Sequence, residues 1–111
     1  MENLGAYDKF QGDRLGRFLG KMADSPEGDG SMLDNTIVYY GTSNSKTHVN
    51  RNYPLLVAGG SNMGIKHCGY HNFLETGKQP LCNLYLTFLQ SLGVPAQSFS
   101  DSTGILKEIL A

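Results

Sequence analysis

The sequence predicts an α/β fold, in which helices cover a small, mostly parallel or mixed sheet. Two short apolar runs, at residues 36–40 and 54–58, are the predicted strands, and we expect them to lie next to each other. Neither run alternates apolar and polar residues, which is typical of strands that are buried on both faces. Two segments with helical periodicity, around residues 13–22 and 81–92, would supply the cover.

The first predicted helix has one apolar stripe. Its members are spaced at i, i+3, i+4 and i+7, and they are Leu15, Phe18, Leu19 and Met22. The helix is expected to begin near Asp8 and to end before Pro26. Gly16 and Gly20 lower its intrinsic helix propensity, so packing against other elements must stabilise it.

The second predicted helix is better defined, because its ends are marked as well as its stripe. Pro80 suits the start of a helix, Gly93 suits the position after its end, and Pro95 prevents continuation. The stripe runs over three turns and comprises Leu81, Leu84, Tyr85, Phe88, Leu89 and Leu92.

The remaining segments give weaker signals. Residues 59–79 lack sustained periodicity, so an irregular excursion is predicted there, with a short hairpin around Lys66 and Phe73 as an option. Apolar residues at 105, 106, 109 and 110 predict a short terminal helix capped by Ser102 or Thr103.

Composition limits the functional classes. A chain of 111 residues forms at most one domain, and its net charge of −1 favours neither nucleic acid nor an anionic membrane as a partner. No window is apolar enough to span a bilayer, and no signal peptide is visible at the N terminus. Cys68 and Cys82 form no CxxC motif, so we expect two unpaired thiols, with Cys82 packed into a helix.

Several short motifs occur in an order that resembles a known family. They are Leu33–Val38, His48, Asn52–Gly60, Gly69–His71, Asn83–Leu84, Leu92–Pro95, Phe99 and Asp101–Gly104. In this order they are similar to the C-terminal part of an alkaline-phosphatase/sulfatase-like domain. The closest resemblance is to a family of secreted bacterial proteins of unknown function that is named for an HxxSHH motif. The resemblance covers residues 7–106, and the HxxSHH motif itself does not occur.

The resemblance implies that residues 1–111 are a single partial α/β domain, a piece of a larger one. It also implies a secreted or periplasmic location. An intact relative would carry out metal-assisted hydrolysis of a phosphate or sulfate ester. The superfamily's nucleophile lies near the N-terminal end of the domain, outside the part that this chain resembles.

The candidate site lies on loops at the ends of the predicted strands, where ligands bind in open α/β sheets. Its predicted lining residues are Thr42, Ser43, Asn44, His48 and His71. Relatives carry acidic or histidine metal ligands after the first strand, whereas this chain has the neutral pair Asn44-Ser45. The alternative is a polar surface loop with a hydrogen-bonding surface histidine.

A divalent metal is the one cofactor that the sequence suggests. Its candidate ligands are His48, His67 and His71, which would converge if both loops lay at the same sheet edge. The spacing of His67, Cys68 and His71 is not that of a zinc finger, and no second Cys/His pair is present to complete tetrahedral coordination.

Two functional hypotheses follow. In the first, the chain is the C-terminal piece of a phosphatase/sulfatase-like protein and is not catalytic by itself. In the second, it is a non-catalytic structural or interaction module. In either case we expect a homodimer, because a small sheet leaves strand edges and apolar faces uncovered. The residues expected to be uncovered are Ile37–Tyr40, Leu55–Val57, Tyr85 and Phe88.

Overall fold

The computed structural model describes residues 2–45, 47–67, 69–74, 77 and 79–111. In chain order its helices and strands are α1 (Glu2–Ala23), β1 (Pro26–Glu27), β2 (Gly30–Ser31), β3 (Ile37–Gly41), β4 (Leu55–Gly59), a 3₁₀ turn (Ser61–Met63), α2 (Leu81–Ser91) and a second 3₁₀ turn (Lys107–Ile109). The mixture of helices and strands confirms the coarse α/β class.

The two predicted strands are neighbours, but their direction differs from the prediction. β3 and β4 form an antiparallel pair, with Ile37 opposite Gly59 and Gly41 opposite Leu55. β1 and β2 are also antiparallel, so the expected mostly parallel or mixed sheet is wrong for the described residues. The physical reason lies in the connection, since parallel strands need a crossover element and no described residue of the segment 42–54 is helical.

Neither face of the β3–β4 hairpin is fully buried, and Tyr39 is 38% exposed even beside α2. The face that carries Tyr39 meets α2, where the Tyr39 ring lies 5.9 Å from Tyr85 and 6.2 Å from Phe88, both edge to face. On the opposite face, Tyr40 is 41% exposed and Leu56 is 43% exposed. The expectation that both faces are buried is therefore wrong, although both faces do carry apolar side chains.

Helix α1 extends further towards the N terminus than its sequence pattern predicts, and it does not cover the sheet. Four of its large apolar side chains are at least half exposed, namely Leu4 (67%), Tyr7 (58%), Phe10 (51%) and Phe18 (50%). Leu15 and Leu19 are partly buried. At its C-terminal end Met22 is buried. An apolar stripe shows that a helix has a face to bury, but it does not show what buries that face.

Helix α2 begins and ends as predicted, within one residue, and it carries two of the five apolar side chains that are buried among the described residues. Leu84 and Leu86 are buried on it, and Gly93 follows its end with a positive φ of 80°. Cys82 lies half-buried in α2 as an unpaired thiol among the described residues, whereas Cys68 lies outside them.

Two buried polar side chains of α2 attach the C-terminal segment. The Thr103 backbone N–H donates to Asn83 Oδ1 (2.7 Å), and the Leu106 backbone N–H donates to Thr87 Oγ1 (2.9 Å). Asn83 is 2% exposed and Thr87 is 1% exposed, so these bonds lie in a low-dielectric interior. Leu106 is thereby held in the core.

The predictions for the two irregular segments are corrected in part. The terminal helix is a single 3₁₀ turn without a side-chain cap, so the caps expected at Ser102 and Thr103 are wrong. The Ser102 hydroxyl instead accepts the Phe99 N–H (2.8 Å). None of the described residues between 66 and 79 forms a strand, so the optional hairpin does not occur within them.

We expect Thr87→Val to destabilise the protein, since it leaves the buried Leu106 N–H without an acceptor. The expected loss in the free energy of unfolding is roughly 1–3 kcal/mol, measured by urea denaturation. Thr87→Ser keeps the hydroxyl and is the matched control, with a smaller expected loss. Equal losses in the two variants would contradict a role for the hydrogen bond.

Candidate functional site

The loop after β3 carries most of the predicted site residues, and it folds on itself locally. Thr42 Oγ1 accepts the Asn44 N–H (3.2 Å) and donates to the Asn44 carbonyl (3.1 Å). The Ser45 N–H donates to the Val49 carbonyl (2.9 Å), and His48 between them adopts a positive φ of 58°. These contacts form a small polar turn.

The site residues of this loop are all exposed. They are Thr42, Ser43, Asn44 and His48. Neutral hydroxyl and amide groups in water are weak ligands for a divalent cation compared with carboxylate or imidazole. Taken alone, the loop has the chemistry of a polar surface turn.

The other two histidines have partners of their own. His67 Nε2 lies 2.7 Å from the Gly59 carbonyl oxygen, so this nitrogen carries the proton and donates. The His71 ring stacks on Phe73 with 6.2 Å between ring centres. Both histidines are exposed.

The structure does not bring the three candidate metal ligands together. Across residues 2–45, 47–67, 69–74, 77 and 79–111, no group of three or more His, Cys, Asp or Glu side chains could hold a metal ion. His48, His67 and His71 therefore do not form a shared three-ligand centre, and the described residues do not fit the metal that the resemblance implies. Binding of a divalent metal stays an untested prediction.

The best organised polar cluster lies at the opposite end of the hairpin, where β3 begins and β4 ends. There Asp34 Oδ2 accepts the Ser31 N–H and the Ser31 hydroxyl, both at 2.8 Å. Asp34 Oδ1 accepts the Ser61 hydroxyl at 2.6 Å. We call this contact between residues 33–35 and 60–62 the Asp34 joint.

Backbone and amide bonds complete the Asp34 joint. The Gly60 N–H donates to the Leu33 carbonyl (3.0 Å), and the Asn62 N–H donates to the Asp34 carbonyl (3.0 Å). The Asn62 side-chain amide donates to Asn35 Oδ1 (2.9 Å). Both segments contain sequence motifs, but the contact between them is tertiary and is not encoded in either motif. Their turn-forming Asp-Asn and Gly-Gly pairs were the available signal.

Electrostatics identify the Asp34 joint as structural. The Ser61 hydroxyl, followed by the Ser31 backbone N–H and hydroxyl, lowers the pKa of Asp34 below its ordinary value of 3.8. The carboxylate is ionised near neutral pH, and its oxygens are engaged by these donors. A group in that state is a poor general acid.

The aromatic contact between β3 and α2 offers no acid or base either. Burial, and then a hydrogen bond with Tyr85, raises the pKa of Tyr39 to about 12. General acid–base catalysis works best with a pKa near the operating pH, which this phenol does not have.

An open hollow of about 290 Å³ lies between the first 3₁₀ turn, α2 and the last residues of the chain. No lining residue has a titratable side chain, and the lining consists of Met63, Gly64, Thr87, Gln90, Ser91, Leu110 and Ala111. The lining side chains therefore include no acid or base that could activate the hydroxyl of Thr87 or Ser91 as a nucleophile.

Comparisons with known proteins add no relative. No protein family, no curated protein and no solved structure matches this chain. The resemblance to alkaline-phosphatase/sulfatase-like proteins thus remains a prediction from the sequence. Of the helices that the structure describes, none is long and apolar enough to cross a membrane.

We expect Asp34→Asn to destabilise the protein at neutral pH and to lose this effect in acid. Because folding lowers the pKa of Asp34, its contribution is present above the unfolded value near 3.8 and is lost as pH falls through the folded value. Urea denaturation of both proteins at a series of pH values measures the difference.

The exposed aspartate Asp29, which lies outside the Asp34 joint, provides the control variant Asp29→Asn. This control should change stability little at any pH. A constant gap between the wild type and Asp34→Asn down to strongly acidic pH would contradict the linkage.

Proposed function

We propose that this chain is a non-catalytic α/β module that works by self-association, and that it derives from the C-terminal part of an alkaline-phosphatase/sulfatase-like domain. The observation that carries the proposal is the amount of apolar surface left open. Single exposed apolar residues are ordinary on protein surfaces, whereas contiguous apolar patches mark interaction sites.

Two such surfaces support self-association. One is the face of α1 that includes Leu4, Tyr7 and Phe18, each at least half exposed. The other is the outer face of the hairpin around Tyr40 and Leu56. In addition, each strand of the hairpin has one edge without a strand partner among the described residues, and free edges recruit further strands.

The local chemistry supports the non-catalytic part of the proposal. The neutral pair Asn44-Ser45 stands where relatives would carry acidic ligands. The carboxylate of Asp34 is occupied by the hydroxyl groups of Ser31 and Ser61. Metal-assisted ester hydrolysis remains the reaction class that the resemblance would imply for an intact relative.

The open surfaces also suit a second arrangement, in which the rest of a larger domain covers them. The two-stranded hairpin with its free edges favours this arrangement, since a complete domain of this superfamily has a much larger sheet. Self-association of the isolated chain separates the two, because a piece that requires the remainder of its domain would aggregate without forming a defined dimer.

We expect the purified chain to hydrolyse aryl phosphate and aryl sulfate esters no faster than buffer does, with zinc, manganese or calcium ions added. The reason is that the described residues do not assemble a nucleophile beside metal ligands. Release of the coloured phenolate measures the rate. Turnover that His48→Ala abolishes and Asn50→Ala retains would overturn the non-catalytic assignment.

We expect a defined homodimer at micromolar concentration, because burial of the open apolar surface favours association. Light scattering coupled to gel filtration should give twice the mass of one chain, and dilution should shift it towards one chain. A folded monomer at every concentration would refute self-association. Polydisperse aggregates would favour the larger-domain arrangement instead.

A further inference from the structure

Helix α1 carries an apolar face along most of its length. With a rise of about 1.5 Å per residue, its 22 residues span roughly 33 Å. We call this face the α1 stripe, and it consists of Leu4, Tyr7, Leu15, Phe18 and Leu19. Gln11 lies between Tyr7 and Phe18 on this face and donates a hydrogen bond to the Tyr7 hydroxyl (2.8 Å). Three of the five side chains of the stripe are at least half exposed. This is the most exposed apolar surface on any described helix.

The charges of α1 are divided between its two halves. The first half of α1, residues 2–12, has a net charge of −1 from Glu2, Asp8 and Lys9. The second half, residues 13–23, has a net charge of +2 from Asp13, Arg14, Arg17 and Lys21. Lys9 and Asp13 form an ion pair at 2.6 Å that joins the two halves. The first half is therefore net negative and the second half is positive.

We propose that the α1 stripe is the surface through which two copies of this chain associate, with the two α1 helices packed antiparallel. The inference rests on the self-association proposed above and specifies its surface and its partner. Antiparallel packing places the acidic half of each helix beside the basic half of the other. It also opposes the two helix dipoles, while parallel packing would bring two basic halves together.

We place the two-fold axis at the middle of the helix, because this register gives the longest overlap between the two α1 helices. A two-fold axis through the middle of Glu2–Ala23 falls between Gly12 and Asp13. It sets Tyr7 opposite Phe18 of the second copy. Both residues belong to the α1 stripe, and aromatic anchors of this kind carry much of the binding energy in protein interfaces.

Cysteine cross-linking tests the surface and the direction together. In a Cys68→Ser, Cys82→Ser background, Tyr7→Cys and Phe18→Cys are made as two separate proteins. Oxidised after mixing, the pair should form a disulfide-linked dimer on a non-reducing gel, and each protein alone should not. The mixed pair Lys9→Cys and Gly16→Cys is the control. In the same register these two positions lie at the same height along the helices, but on the opposite face of α1, so they should not cross-link.

The possible outcomes separate the two proposals. Cross-linking of Tyr7→Cys with itself would indicate parallel packing and overturn the inference. If light scattering shows the dimer and no α1 pair cross-links, the interface lies elsewhere, and the inference fails while self-association stands. A parent chain that is monomeric refutes both proposals.

A second variant checks the energetics without cysteine. Phe18→Glu should raise the dissociation constant of the dimer about tenfold or more, since it puts a charge into a buried aromatic position. Gly20→Glu adds the same charge to the same half of α1 on its opposite face, where a Cβ meets nothing within 4 Å, so it is the matched control and should change the constant little. Circular dichroism confirms that each variant is folded, and an unchanged constant for a folded Phe18→Glu would overturn the inference.

Discussion

The Asp34 joint is the contact on which the rest of the structure depends. It ties two turns that lie 27 residues apart in the chain, through the hydrogen bond from Ser61 to Asp34. By doing so it fixes where β3 begins and where β4 ends. The segment after β4 then contacts the C-terminal residues through an isolated antiparallel β-bridge between Ile65 and Leu110. A short chain with a small buried core thus gains its order from hydrogen-bonded turns as well as from apolar burial.

The Asp34 joint in turn requires two glycines. Gly59 and Gly60 both have a φ of 75°, in the left-handed region where side chains other than glycine are strained. A Cβ at Gly59 would collide with the carbonyl oxygens of Thr36 and Leu33, and one at Gly60 would lie 2.8 Å from Ile37 Cγ1. The close approach of the two turns is therefore possible only with bare backbone at these positions. The Gly-Gly pair is a structural condition for the hairpin and needs no ligand to explain it.

Local patterns predicted β3, β4 and α2, whereas the short β1–β2 pair, the full length of α1 and the contacts between elements could not be predicted from them. The strands were placed within one residue, and α2 was placed from Leu81 because proline and glycine mark its ends. Strand direction and the cover of each face depend on residues far away in the sequence, so periodicity could not give them. The same limit applies to the candidate site. The sequence places Thr42–His48 at the end of a strand. Whether this loop lies near His67 and His71 depends on the fold, so the sequence pattern could not show it.

The distribution of side chains gives a physical reason for association. Polar groups of Asn83 and Thr87 are buried and fully engaged in hydrogen bonds, whereas the aromatic rings of Tyr7 and Phe18 face solvent. A helix as rich in glycine as α1 has low intrinsic stability, and most helical stability in proteins comes from packing of the apolar face. An unpaired α1 would lack that packing along most of its length. Formation of the helix and burial of its stripe are therefore expected to be coupled, so that whatever covers α1 also stabilises it.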